Sequence, residues 1–338
     1  MSMLSYIAKR LVALVPVLFG VLTLTFILAK LMPGDPVRLL LPRNAPPGAY
    51  ERLSHTLGFD KPIIVQYFRY IGDLFTGNWG TSISIQPGAD VWDLIWERYP
   101  RTIELSFLSV LIASFIGIKT GIIAAKHRNK WQDTTLRGIA LIGVSIPVFW
   151  MGMMFQYIFA IELDWLPAVG FRELKYPDVK VITHFGIIDS IITGKLYATI
   201  DYLTHLVLPV ACLSFITLAS VVRQTRSSML EVLQQDYIRT ARAKGAKEKK
   251  VLHTHALKNA LIPTVTIIGL NFGSLLGGAI LTETTFNFSG VGEMLMASIL
   301  ERDIFLLNAL VFFSALLFVI INLSIDVLYG IIDPRIRY

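Results

Sequence analysis

The stretch Asp236 to Pro263, DYIRTARAKGAKEKKVLHTHALKNALIP, carries the residue types best suited to act on another molecule. It is polar and strongly basic, and it lies between two long apolar runs. Its chemistry is recognition rather than bond making. Asp236 can cap a helix through its carboxylate, and Tyr237 to Lys244 are mostly good helix formers. Tyr237, Ala241 and Gly245 stand at i, i+4 and i+8, so the spacing predicts one shared face, narrow enough at Ala241 and Gly245 for a protein backbone to approach. Gly245 then breaks or bends the helix. A second helical stretch is expected from about Lys247 to Leu257, with Pro263 in the first turn of the next helix. The plainer alternative for the whole stretch is a solvated basic loop beside a membrane.

Bond-making chemistry is poorly represented. The only Gly-Lys pair, Gly194-Lys195, is followed by Leu196 and lacks the upstream glycine of a phosphate-cradling loop. There is no HExxH and no cysteine pair, so no zinc signature. The single cysteine, Cys212, lies in an apolar run and reads as a packing residue. Ser289-Gly290, with His205 on another span as base, would be one hydrolytic arrangement, but one Ser beside a Gly is a weak signal. His253 and His255 read as helix-surface residues. The chain is therefore expected not to be an enzyme.

The elements that position these residues are membrane spans. The chain has 338 residues, of which 54% are hydrophobic, and a mean hydropathy of +0.60, which excludes an ordinary soluble domain. The net charge of +7 lies beside apolar runs, which points to a membrane surface rather than to nucleic acid. Residues 1–32 form an N-terminal segment and first span, with an apolar run Leu11 to Ala29 too long for a cleaved signal. Residues 33–102 follow as a long polar segment with aromatic and Pro/Gly punctuation, expected to be a small, partly helical extracytoplasmic cap. Residues 103–338 hold five more spans, at about 103–125, 139–161, 203–222, 263–281 and 305–329. Pro147 should kink the third of them. Ile187 to Ile192 is short and interrupted by Asp189, so it is expected to lie on the membrane. Six spans put both termini inside, where the loops are richest in Lys and Arg. Gly269, Gly273 and Gly277 make one smooth face for helix packing, either within the chain or at a subunit seam. Asp326 reads as a capping or ion-pairing residue.

Four separated signatures resemble the membrane subunits of dipeptide and oligopeptide ABC importers: MPGDPV after the first span, RTARAKG with HALKNALIP in 223–262, the glycines around Gly290, and the terminal DPRIRY. Arg239, Thr240 and Ala241 take the Glu-Ala-Ala places of the family's EAA loop, and Gly245 takes its glycine. Arg239, Thr240, His255 and Lys258 depart from the general pattern toward the peptide-permease version. Ser289 stands where the family has proline. The resemblance implies an all-α polytopic protein of six transmembrane helices with the type I ABC importer permease fold. It also implies a bacterial inner-membrane location, a second paralogous permease subunit, two ATP-binding subunits and an extracytoplasmic substrate-binding protein. ATP and Mg would sit on the partner ATPases, with no cofactor in this chain. Asp236, Tyr237, Arg239, Thr240, Ala241 and Gly245 would then form the coupling helix. The alternatives are a secondary, ion-gradient-driven transporter, or an ABC permease for nickel chelates or glutathione. A secondary carrier should place ionisable groups near mid-membrane, whereas Lys119, Arg223 and Asp326 lie toward the inner ends.

Overall fold

The computed structural model describes residues 3–31, 35–41, 44–173 and 179–332. MPGDPV is described only from Asp35. The terminal DPRIRY and the side chain of Asp326 lie outside the described residues. In chain order the helices are α1 (Met3–Leu31), α2 (Pro36–Leu40), α3 (Ala49–Leu57), α4 (Ile63–Thr76), α5 (Val91–Lys126), α6 (Trp131–Ser145), α7 (Val148–Phe155), α8 (Gly186–Ile192), α9 (Leu196–Val232), α10 (Asp236–Ala243), α11 (Glu248–Lys250), α12 (Leu257–Leu276), α13 (Ile280–Phe286), α14 (Val291–Leu300) and α15 (Ile304–Ile332). π-Helical turns extend α7 over Gln156–Glu162 and join α11 to α12 over Val251–Ala256. Among the described residues the only β pairing is one isolated bridge, Thr81 to Asp90.

Among the described residues, four helical bodies are long and apolar enough to cross a membrane: α5, α9, residues 248–276, and α15. The pair α6 and α7 passes the same test only jointly, and α1 adds the shorter apolar stretch Val15–Leu31. The expected third span is more than kinked, since its halves meet at 99°. Pro147 has no N–H to donate, and Ile146 before it is extended (φ −86°, ψ 128°), as the residue before a proline prefers to be. The helix expected at 263–281 stops instead at Leu276. Gly277 caps it, and Gly278 (φ +106°) turns the chain into α13.

α5 and α9 run parallel as the central pair. A Cβ at Gly117 would stand 2.8 Å from Val221 Cγ1, and one at Gly121 would stand 2.6 Å from Thr225 Cβ, so the two backbones touch there as only glycine allows. α12 lies antiparallel to α9, tied by Asn271 Nδ2 donating to Ser220 Oγ at 2.8 Å. α15 packs on the other side of α12. A Cβ at Gly269 would meet Ile325, and one at Gly273 would meet Phe318 and Ile321, so these two glycines serve packing within the chain. Gly277 does not share that face, because it is the helix end and meets only the carbonyl of Ser274.

α10 marks one end of the bundle, called here the basic end. The opposite, cap end is held by buried carboxylates that reach far along the chain. Asp303 is fully buried and accepts from Ser82 Oγ (2.5 Å) and from the amides of Ile83, Ser84 and Ile85. Glu283, also fully buried, accepts from Thr102 Oγ1 (2.8 Å) and from the amides of Gly292 (2.6 Å) and Glu293 (3.1 Å). Glu104 accepts from Gly186 and Ile187 at the start of α8. Asp189 does not interrupt α8 but turns inward. Burial works against its charge, yet the Thr183 hydroxyl and the amides of Ile182, Thr183 and His184 donate to it and hold its carboxyl below the usual carboxylate range. A depressed acid favours folding above its unfolded pKa, and that contribution is lost as pH falls through the lower, folded value. Amide exchange of residues 182–184 should therefore stay slow at neutral pH and speed up on acidification below the ordinary aspartate range. The same amides should exchange rapidly at all pH values in Asp189→Ala.

Candidate coupling site

α10 forms although its N-cap, Gln235, makes no side-chain cap bond. Asp236 is the first helical residue rather than the cap expected from the sequence. Its exposed carboxylate faces Arg239 at 3.4 Å and suits the positive end of the helix dipole. The helix closes at Ala243, and Gly245 lies beyond it at φ +77°, so the predicted face of Tyr237, Ala241 and Gly245 is not continuous. Tyr237 is turned sideways, its hydroxyl accepting from Asn259 Nδ2 at 2.7 Å. Ala241 is half-buried, and its carbonyl accepts from the amide of Ala246. The open face consists of Asp236, Arg239, Thr240 and Ala243.

Ile238, which the sequence reading passed over, holds this helix to the bundle. It is 0% exposed and packs into a cluster of Ile122, Ala125, Met229, Val251, Leu252, Ala256 and Ala260. That cluster draws on α5, α9 and the α11–α12 body, so Ile238 seats the exposed helix in a core shared by three spans. The signal was present: Ile238 is the one large aliphatic residue in a polar helix, and such a residue is normally buried.

Beyond Gly245, Arg242 forks onto Glu248 at 3.2 and 2.9 Å and closes the turn from α10 to α11. The stretch expected as a separate helix near 247–257 is instead continuous with α12 through the π-helical turn. Pro263 consequently lies inside α12, not in its first turn. A neighbouring tie stiffens the same end. Asp133, fully buried, takes a bidentate contact from Arg226 (2.6 and 2.7 Å) and the amide of Asn129 (3.0 Å), which locks the start of α6 onto α9. Lys119 reaches back over the Phe115 ring, 3.8 Å from its centroid. Beside these, Lys126, Arg128, Lys130, Lys244, Lys247, Lys249 and Lys250 are all exposed, so the open face sits in a strongly positive surface.

The hydrolytic arrangement does not assemble. His205 Nδ1 is bonded to the Asp201 carbonyl of its own helix. The Ser289 carbonyl accepts from Arg98 and Arg101, and among the described residues no hydrogen bond joins Ser289 to His205. Ser289 has φ +56°, a conformation closed to the proline that the family places there. Cys212 is buried and its thiol faces the Val148 carbonyl.

A bundle of apolar helices with a braced, exposed basic helix at one end is the architecture of a multi-pass membrane transport subunit. The chain belongs to the binding-protein-dependent transport system inner membrane components: that family's pattern matches residues 117–338, and its N-terminal pattern matches residues 3–106. It is 44% identical, over 99% of its length and 100% of the relative's, to the dipeptide transport system permease protein DppB of Alkalihalophilus pseudofirmus. It is 42% identical, over 99% of each chain, to the di/tripeptide transport system permease protein DppB of Pseudomonas aeruginosa. The oligopeptide transport system permease protein AppB of Bacillus subtilis is 37% identical, over 99% of this chain and 100% of that one. Among solved structures, an inward-facing MetNI methionine ABC transporter matches with a TM-score of 0.55 at 15% identity, over 72% of this chain and 97% of that one. That last likeness concerns the fold alone.

Proposed function

We propose that this chain is the permease subunit of an ATP-driven importer of dipeptides or short oligopeptides, and that α10 is the helix through which partner ATPases move it. The observation that carries the reading is Ile238: an exposed helix set in a cationic surface is anchored by one buried side chain in a core shared by three spans. The peptide cargo rests on the relatives, whose names are those of dipeptide, tripeptide and oligopeptide permeases. The working assembly would contain a paralogous permease, two ATP-binding subunits and an extracytoplasmic binding protein, with both termini of this chain cytoplasmic. Closure of the ATPase pair would push α10 and, through the Ile238 cluster, rock α5, α9 and α12 as rigid bodies.

Purification from native membranes should bring down a second six-span subunit and P-loop ATPases, identified by mass spectrometry. A chain that purifies alone and transports in liposomes without ATP would be a secondary carrier. A substitution tests the helix itself. Gly245 has open space around its Cβ position but a left-handed backbone, so Gly245→Val acts through strain alone, about 1–2 kcal/mol. It should lower the peptide moved per ATP hydrolysed while leaving membrane insertion intact. Gly245→Asn, which tolerates that backbone, should stay near normal. Normal coupling in Gly245→Val would remove α10 from the drive train.

A further inference from the structure

The segment between α1 and α5 reads in sequence as a cap outside the membrane, and in the structure its helix α4 lies along α1. Its contacts with α1 step along both helices in opposite directions. Lys30 donates to Gln66, Phe26 meets Tyr67 and Tyr70 (ring centroids 5.4 and 5.6 Å apart), Thr23 bonds the Tyr67 hydroxyl, and Phe19 meets Phe75 (6.4 Å). α4 therefore runs antiparallel beside the half of α1 that ends at Leu31. Phe19 lies twelve residues before Leu31, or about 18 Å along the helix at 1.5 Å per residue. That is more than half of a hydrocarbon core roughly 30 Å thick. On α15, Phe75 also meets Phe312, two turns into that span (5.6 Å).

The faces of α4 divide accordingly. Tyr70, Ile71 and Leu74 turn inward. Gln66, Arg69 and Asp73 line a cavity of about 340 Å³ shared with Lys30, Asp35 and Asn308. The third face is Ile64, Phe68 and Phe75, exposed by 61%, 64% and 55% and free of charge. It continues the exposed apolar surface of α1 at Leu24, Ile27, Leu28 and Leu31. The C-terminal end of α4 folds back on itself. Thr76 Oγ1 donates to the Gly72 carbonyl, Asn78 N to Asp73, and both Gly77 N and Trp79 Nε1 to Leu74.

We infer that α4 is a half-membrane helix: it enters the leaflet at the Leu31 end of α1, and Ile64, Phe68 and Phe75 are covered by lipid acyl chains. Its polar face then borders the cavity, where Arg69 and Asp73 pair with each other at 3.8 Å. The inference requires that α1 crosses the bilayer with its Leu31 end at the interface, where the apolar run Leu11 to Ala29 gives way to Lys30, and it is independent of cargo or coupling.

Nitroxide labels on Ile64→Cys, Phe68→Cys and Phe75→Cys test it, in the assembly purified from native membranes and returned to a bilayer. The unsubstituted chain, whose Cys212 is buried, gives the background. Oxygen, which concentrates in lipid, should relax all three labels strongly, and a water-soluble nickel chelate should not. The oxygen-to-nickel ratio should rise from Ile64 to Phe75 and exceed by several-fold that of Glu51→Cys on exposed α3. Strong nickel relaxation at Phe68 and Phe75 would place the strip in water. Exclusion of both reagents would place a protein partner over it. Either result overturns the inference.

Discussion

Ile238→Asp is expected to abolish peptide transport while leaving the spans inserted and ATP hydrolysis running in the assembled transporter. Ile238 sits among seven buried apolar side chains, and none of them offers a hydrogen bond or a counter-charge. A carboxylate there costs several kcal/mol unless it reaches water. The cheapest escape is for α10 to swing away from the cluster, since besides the turns at Gln235 and Gly245 it is held only by exposed hydrogen bonds, Asn259 to Tyr237 and Arg242 to Glu248. The spans keep their own contacts, so folding survives and transmission is lost. Ile238→Ala removes packing worth about 2–5 kcal/mol and should lower coupling sharply without eliminating it. Ile238→Val, at about 0.5–1.5 kcal/mol, should be close to normal. The measurement is peptide accumulated per ATP hydrolysed in proteoliposomes. Full coupling in Ile238→Asp would mean that α10 moves independently of the Ile238 cluster.

The apolar runs announced most of the helical body, because a run of about 20 apolar residues has few other uses. Helix ends were harder to place. α5 begins at Val91, twelve residues ahead of the expected start at 103, because Asp93, Glu97, Arg98 and Arg101 lower the hydropathy of a stretch that is helical and partly buried. The break at Pro147 and the turn at Gly245 were both legible, since each follows from one residue's backbone. The orientation of α10 was not. The spacing of Tyr237, Ala241 and Gly245 marks a face only if the helix runs through Gly245, and it stops before it. The cap-end ties lay beyond reach for a different reason: Ser82 and Asp303 are 221 residues apart, and Thr102 and Glu283 are 181 apart. A lone carboxylate in an apolar neighbourhood shows that a partner is needed without saying where it is. α4 was hidden by length, being too short for a span and too mixed for a simple core helix.

Glu283 should be the most costly single residue to remove at the cap end. Its two oxygens hold a hydroxyl on α5 and two amides at the start of α14, and Thr102 Oγ1 in turn accepts from the amide of Val291 at 2.9 Å. This set fixes the turn 287–290, which carries two non-glycine residues at positive φ, Asn287 (+46°) and Ser289 (+56°). Glu283→Ala leaves those donors buried and unmet. At about 1–3 kcal/mol for each of the three unsatisfied groups, the loss is on the order of 3–9 kcal/mol, a large part of a typical folding free energy. Glu283→Gln keeps an acceptor for the two amides and offers its NH2 to Thr102 Oγ1, which has a lone pair to spare, so it should lose far less. The ordering wild type, Gln, Ala should appear in the half-life of the detergent-solubilised protein at elevated temperature. Burial pushes the Glu283 carboxyl up, and an acid with a raised folded pKa weakens folding as pH rises from its unfolded toward its folded value. Wild type should therefore lose lifetime across that interval, while Glu283→Gln, with nothing to titrate, should lack that component. Equal lifetimes for the Ala and Gln variants would show that the turn is held by the Ser289 carbonyl and its two arginines instead.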